Sequence, residues 1–323
     1  MTRRPDLFIV GAAKCGTTSM YEYLKDHPEV FMSPRKEPRY FAPDLQTGIP
    51  GKDLEYGKDL DRYLGLFKDA SDEKRLGEAS VRYIYSKDAP RLIHEFQPDA
   101  YIVAMIRNPV DMMFSLHGHR FAGGSEDIAE FEEALAAEED RRQGRRLQRY
   151  SIPEVHQYRA RARFGEQLPR WFDTFGRERV HVIVFEDFVR QPEATFRRLL
   201  EFLEIDADYQ PPSFSARNPR HEPKSQALRA VLRSSVPQWL VWSALPRVVG
   251  EANAHRIMKP FRRMNRKTAE KPRLSPELRR RLEDELAPDV ERVSRLLDRD
   301  LTALWFKRST DTSQPKGEPV LSR

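Results

Sequence analysis

Three runs of continuous apolar residues do most to limit the folds open to this chain: LFIV from Leu7, YIVAMI from Tyr101 and VHVIVF from Val180. Strands covered on both faces read this way, whereas strands with one wet face alternate. Between and after these runs come amphipathic helical patterns, including SMYEYLKDH, APRLIHEF, EQLPRWFDTF and EATFRRLLEFLEI. Apolar strands alternating with helices predict an α/β fold, a three-layer αβα arrangement around a central parallel sheet. Ligands in such sheets bind beyond the carboxyl ends of the strands, which singles out the residues after Val10, Ile106 and Phe185.

The first of these places reads LFIVGAAKCGTTSMYEYL. A strand runs into a turn bearing Gly11 and Gly16, and a helix follows at Thr17 and Thr18. Amides at a helix N-terminus bind anions, and the two threonine hydroxyls add donors, so this is a P-loop-like phosphate site. In nucleoside-triphosphate enzymes a lysine follows the second glycine, but here Thr17 stands there and the lysine lies earlier, at Lys14. A lysine so placed would lie over the bond joining a 5′-phosphate to a transferable group. Such a ligand needs no metal, and none is expected. A kinase reading stays open through Glu186 or Asp187 as a magnesium holder.

The loop resembles the 5′-phosphosulfate-binding loop of sulfotransferases that use 3′-phosphoadenosine 5′-phosphosulfate (PAPS), above all the carbohydrate type and its bacterial relatives. The family's lysine, glycine and paired hydroxyl residues match Lys14, Gly16, Thr17 and Thr18, with Cys15 between them. A second motif, YIVAMIRNPVDMMFSLHGHR, places Arg107 after a strand and Ser115 eight residues later, the family's 3′-phosphate pair. Arginine offers phosphate a planar fork and serine a neutral donor. The resemblance implies PAPS as co-substrate, with Lys14 on the leaving side and Arg217, Arg220 and Lys224, in a proline-rich loop, as alternative candidates for a further nucleotide contact. Cys15 is counted among the loop's nucleotide-binding residues; its cationic setting could lower its pKa, but as it is not a fixed feature of the family's loop it is read as a bystander.

SPRKEPRYFAPD resembles the family's Lys-Glu-x-x-x-Phe segment, which makes Glu37 the implied general base. Departures are visible here: Arg39 replaces a histidine common in heparan-type enzymes, and Ala42 replaces an aspartate. GEASVRYIYS resembles another family segment but carries Ala79 and Val81 where lysine and proline are common. Groups that grip acidic glycans are lost, which argues against a heparan-like acceptor and favours a smaller hydroxylated molecule or a glycolipid; the acceptor class stays a small molecule, a carbohydrate or a glycolipid. Arg39, Ser80, Tyr83 and His119 are candidate substrate contacts.

The chain has 323 residues, enough for a single domain over 1–306, with 226–306 as its helical C-terminal part and 307–323 as a disordered tail. SEDIAEFEEALAAEEDRRQGRR, from Ser125 to Arg146, reads as one helix capped by Ser125 with a solvated charged face. SPELRRRLEDEL reads as a later helix capped at Ser275. The formal charge of +6 is a small excess of 56 basic over 50 acidic residues. A nucleic-acid module would leave both phosphate motifs unexplained, so no such partner is expected. One cysteine, no signal-type core and no run of ~20 apolar residues lead to the expectation of a cytoplasmic protein. The tryptophan-bearing, basic stretch 236–266 fits either peripheral contact with a membrane surface or a core helix with a solvated segment after it. Nothing in the sequence indicates an oligomeric state.

Overall fold

The computed structural model describes residues 3–46, 59–148, 151–214, 222–223, 266–267 and 274–306. Its core is a five-stranded sheet built from β1 (Leu7–Gly11), β2 (Val30–Met32), β3 (Arg75–Ala79), β4 (Tyr101–Ile106) and β5 (Val180–Val184). The spatial order is β2-β3-β1-β4-β5, and every neighbouring pair is parallel. The two apolar runs that occupy the centre, β1 and β4, are buried along their whole length. Leu7, Phe8 and Ile9 pair with Tyr101, Ile102 and Val103, and the register then shifts before Gly11. That irregularity bends β1 out of the ladder where the phosphate-type loop begins.

Twelve α-helices lie among the described residues. They are α1 (Thr17–Lys25), α2 (Leu60–Leu64), α3 (Ala89–Phe96), α4 (Pro109–Gly123), α5 (Phe131–Ala136), α6 (Glu138–Arg142), α7 (Tyr158–Ala162), α8 (Phe164–Phe175), α9 (Phe185–Arg190), α10 (Pro192–Phe202), α11 (Pro276–Leu296) and α12 (Leu301–Trp305). Helices cover both faces of the sheet, giving the expected αβα layers. Helix α4 starts where the sequence predicts. Pro109 opens it, and the Asn108 side chain accepts hydrogen bonds from the amides of Val110 (3.0 Å) and Asp111 (3.2 Å). The Ser275 cap of α11 also forms, through the Leu278 amide at 3.1 Å. Helix α11 packs on α8, where Gly165 admits the Asp289 backbone; a Cβ there would lie 2.7 Å from the Asp289 carbonyl oxygen.

Two expectations fail. The single helix over 125–146 is two short helices, α5 and α6, because the chain closes α4 at Gly124 (φ 76°) and then turns Glu126 inward. Ser125 caps nothing; its amide donates to the Arg120 carbonyl. The charged face is not all solvated either, since Glu126 and Arg141 form a fully buried ion pair at 2.6 Å. The proline-rich stretch near 209–226, read as loop throughout, contains a two-residue strand β6 (Glu222–Pro223) antiparallel to β7 (Arg266–Lys267). The stretch 307–323 and most of 226–273, including the segment read for membrane contact, lie outside the described residues.

Candidate active site

The loop leaving β1 is shaped by two glycines with little room around them. A Cβ on Gly11 (φ +155°) would lie 2.4 Å from Ile84 Cγ2. Gly16 (φ +90°) occupies the N-cap of α1, and a Cβ there would sit 3.2 Å from the rings of Phe185 and Phe188. No side chain caps α1, so its first-turn amides are left to face whatever enters the loop. Thr17 is buried and Thr18 part-buried in that turn. Cys15 is buried, its thiol 3.5 Å from the Ala13 carbonyl. Burial outweighs the nearby Arg107 and pushes the thiol well up, opposite to the lowered pKa expected of it.

The second cradle closes onto the first. Arg107, directly after β4, donates from Nη1 to the Lys14 carbonyl at 3.4 Å and lies over the Phe185 ring at 4.6 Å. Its Nε is buried and has no hydrogen-bond partner. A buried N–H left unpaired costs free energy unless a ligand meets it. Ser115 stands part-buried on α4, in its second turn. Arg107 and the loop therefore meet at the carboxyl ends of adjacent parallel strands, β1 and β4.

Glu37 reaches the same end of the sheet from the segment after β2. Its amide donates to the Ala79 carbonyl at 2.9 Å, and its Oε2 accepts from the Val81 amide at 3.2 Å. Lys36 Nζ lies 3.3 Å from Oε1 and Arg39 Nε 3.6 Å from Oε2. Lys14 (φ 68°), Glu37 (φ 65°) and Arg39 (φ 59°) are all left-handed non-glycine residues. Each such conformation costs on the order of 1–3 kcal/mol and persists where surroundings enforce it, commonly at functional sites. Arg39 is part-buried and His119 is exposed on α4.

Ser80 and Tyr83 do not line the site as expected. Both are fully buried and turn toward Glu78, the fourth residue of β3, which the sequence reading passed over. The Ser80 hydroxyl donates to Glu78 Oε2 at 2.7 Å, Tyr83 to Oε1 at 2.8 Å, and Tyr63 to Oε1 at 3.2 Å. The same Ser80 and Tyr83 oxygens accept the amides of Arg39 (3.0 Å) and Phe41 (3.2 Å). Glu78 thus anchors the loop that carries Glu37. Burial pushes its carboxyl up to about 7, against the hydroxyl donors that favour ionisation. The one available signal was GEAS itself, an acid inside an otherwise small and apolar stretch. Arg217, Arg220 and Lys224 lie outside the described residues.

The magnesium candidates of the kinase reading are engaged elsewhere. Glu186 accepts from the Asn108 amide (3.1 Å) and the Trp305 indole (2.9 Å), and Asp187 pairs with Arg299 and Arg190. They stitch α9 to α4 and the C-terminal helices.

Comparison with known proteins identifies the family. A family model described as a sulfotransferase domain matches residues 4–230. A crystal structure of a sulfotransferase from Alicyclobacillus acidocaldarius aligns with 32% identity and a TM-score of 0.70, covering 95% of this chain and all of that one. Heparan sulfate glucosamine 3-O-sulfotransferase 6 of Mus musculus is 33% identical over 113 residues, 35% of this chain and 30% of its own length. The membrane-associated sulfotransferase kil1 of Dictyostelium discoideum is 23% identical over 302 residues, 71% of this chain and 62% of its own. The chain thus spans less than two thirds of these curated relatives. The relative described as membrane-associated also overturns the cytoplasmic expectation. No described helix is long and apolar enough to cross a membrane, and that observation does not place the chain in any compartment.

Proposed function

The chain belongs to the sulfotransferase domain family, and from that premise we propose that it moves a sulfuryl group from PAPS to a hydroxyl of a carbohydrate, glycolipid or other small acceptor. One observation carries the reading: the Lys14 loop and Arg107 meet at the carboxyl ends of β1 and β4, joined at 3.4 Å, with a buried guanidinium N–H left for a ligand. A nucleotide phosphorylated at both ends fits two anion cradles on neighbouring strands. The loop amides with Thr17 and Thr18 suit its 5′-phosphate, and Arg107 with Ser115 its 3′-phosphate. The relative that acts on heparan sulfate, by its name, favours a carbohydrate acceptor.

In the proposed step the bond between sulfur and the 5′-phosphate oxygen breaks, its electron pair staying with the phosphate. A bond between sulfur and the acceptor oxygen forms in line with it, and the acceptor proton passes to Glu37. Lys14 offsets charge growing on the leaving phosphate, the type of contribution that is worth most in the transition state. Glu37 is held against free rotation by the Val81 amide, Lys36 and Arg39, which fixes its lone pairs relative to the loop.

Calorimetry with 3′-phosphoadenosine 5′-phosphate (PAP) and with ATP plus magnesium tests the nucleotide assignment; heat from ATP alone would reject it. Incubation with radiolabelled PAPS and a metabolite extract then reveals the acceptor. Lys14→Ala is expected to abolish transfer. Glu37→Gln is expected to lower turnover by about 10²–10⁴ with PAP affinity unchanged. Normal turnover in that variant would remove Glu37 from the mechanism.

A further inference from the structure

Two arginines outside the transfer machinery are buried without a counter-charge. Arg120 on α4 is 7% exposed and Arg161 on α7 is 6% exposed. Arg120 lies 5.5 Å from the Tyr158 ring centre, and Arg161 lies 5.0 Å from that of Tyr85. Among the described residues, no carboxylate comes within 4 Å of either guanidinium group. The Arg120 Nη1 is buried and has no hydrogen-bond partner.

The acids nearby are already committed. Glu126 takes Arg141, Tyr158 and the amides of Asp127 and Ile128. Glu138 holds Arg159 at 2.7 Å. Asp44 accepts from Ser86 and the Lys87 amide. Burial, and then repulsion from Arg120 and Arg82, lowers Arg161 to about 9, and helices α4 and α7, which carry the two arginines, pack against each other. Burial also lowers Arg120. Two neighbouring cations withheld from water and from acids are costly to the free protein.

Their position connects them to the transfer site. Tyr85, beneath Arg161, belongs to the turn after β3 whose Val81 amide holds Glu37 and whose Ile84 amide donates to the Val10 carbonyl at 2.7 Å. Arg120 follows Ser115 by five residues on α4, about 7.5 Å along the axis.

We propose that Arg120 and Arg161 form a pocket for an anionic substituent of the acceptor, a carboxylate or a sulfate ester, held beside the hydroxyl that receives the sulfuryl group. An oxyanion would meet the unpaired guanidinium donors as a charge-assisted, geometrically matched partner. The pocket recovers, from other elements, the grip on acidic acceptors that the departure at Ala79 removes. Assigning the anion to the acceptor rests on the sulfotransferase reading; the anion pocket itself does not.

The test uses the full chain saturated with PAP, so that both phosphate cradles are filled. Inorganic sulfate and glucuronate are then titrated calorimetrically, with glucose as the uncharged control. Uptake of sulfate marks a sulfate-ester site and uptake of glucuronate a carboxylate site. Arg161→Met and Arg120→Met are each expected to weaken that uptake at least tenfold and leave PAP affinity unchanged. Both are expected to leave the melting temperature of the ligand-free protein equal or raised, since an unpaired buried cation is removed. Arg161→Lys, which keeps the charge, retains most of the uptake. A lowered melting temperature in the methionine variants would make these arginines structural and overturn the proposal. So would uptake of neither anion, or uptake that the variants leave unchanged. Failure to bind PAP, with arginine-dependent anion uptake intact, would instead remove the sulfotransferase reading and leave the pocket.

Discussion

Glu78 and Glu126 are both shut away from solvent, at 0% and 2% exposure, yet different neighbours meet their carboxyl groups. Glu126 faces a cation: Arg141 donates to both oxygens at 2.9 and 2.6 Å, joined by Tyr158 at 2.7 Å and two backbone amides. His156 Nδ1 lies 3.3 Å away and its Nε2 is 2.8 Å from Ser151. Burial alone would push Glu126 up, but the bonds from His156, Arg141 and Tyr158 outweigh it and hold the carboxyl far below the usual range. Glu78 is met by three neutral hydroxyls and no cation among the described residues, so burial wins and pushes its carboxyl up to about 7. Depth does not decide whether a buried acid is charged; its donors do. One glutamate is an ionised clamp joining the turn after α4 to α6 and α7. The other is poised between protonation states beneath the loop carrying Glu37.

The largest effect should come from breaking the clamp. Arg141→Met leaves Glu126 ionised and buried with no guanidinium, which costs about 3–5 kcal/mol when one partner of a buried pair is removed. Urea unfolding would measure it, and adding Glu126→Gln in the same chain should recover part of the loss. A cost below ~1 kcal/mol would mean that Glu126 is not the ionised partner described.

The same contrast explains what the sequence could and could not reveal. Strands β1, β4 and β5 were legible because continuous apolar runs have few homes other than a sheet interior. Strand β3, RLGEA, was not: Gly77 is there because a Cβ would lie 2.5 Å from Met32 Sδ, and Glu78 because three hydroxyls surround it. Both reasons are tertiary. The run from Ser125 to Arg146 has the charge pattern of a wet helix, and nothing local distinguishes Glu126 and Arg141 from the acids and bases that stay outside. The placement of Lys14 and Gly16 after β1 and of Arg107 after β4 was legible because each follows closely on an apolar run. Ser80 and Tyr83 were found but faced the wrong way, since a motif does not say which side of a turn meets the ligand. Arg120 and Arg161 left no signal, because an arginine lacking a buried partner reads like any surface arginine.

Glu78→Gln sharpens the comparison next. A folded-state pKa raised from 4.5 to about 7 means that the protonated acid favours the fold. That contribution is full below pH 4.5 and fades as the pH climbs through 7, by on the order of 3 kcal/mol. Glutamine mimics the neutral acid, so the variant should match the parent near pH 4.5 and exceed it near pH 8. Denaturation at the two pH values checks this; equal differences at both would mean that Glu78 is ionised throughout, like Glu126. Turnover should fall in the variant with PAP affinity intact, because the Arg39 and Phe41 amides depend on hydroxyls that Glu78 orients.

The smallest test removes one hydroxyl from the weaker cluster. Tyr63→Phe keeps the ring stacked on Tyr40 at 4.6 Å and edge-on to Phe41 at 5.3 Å, and deletes only the donor 3.2 Å from Glu78. The cost should be about 1 kcal/mol, the net worth of an ordinary hydrogen bond. Its direction with pH carries more information than its size. The Tyr63 hydroxyl favours ionised Glu78, so without it the carboxyl moves further up and the fall in stability shifts to higher pH. The variant should therefore lose more stability above pH 7 than below pH 5. A uniform loss across that range would mean that the hydroxyls do not set the charge of Glu78, and the distinction from Glu126 would have to rest on burial after all.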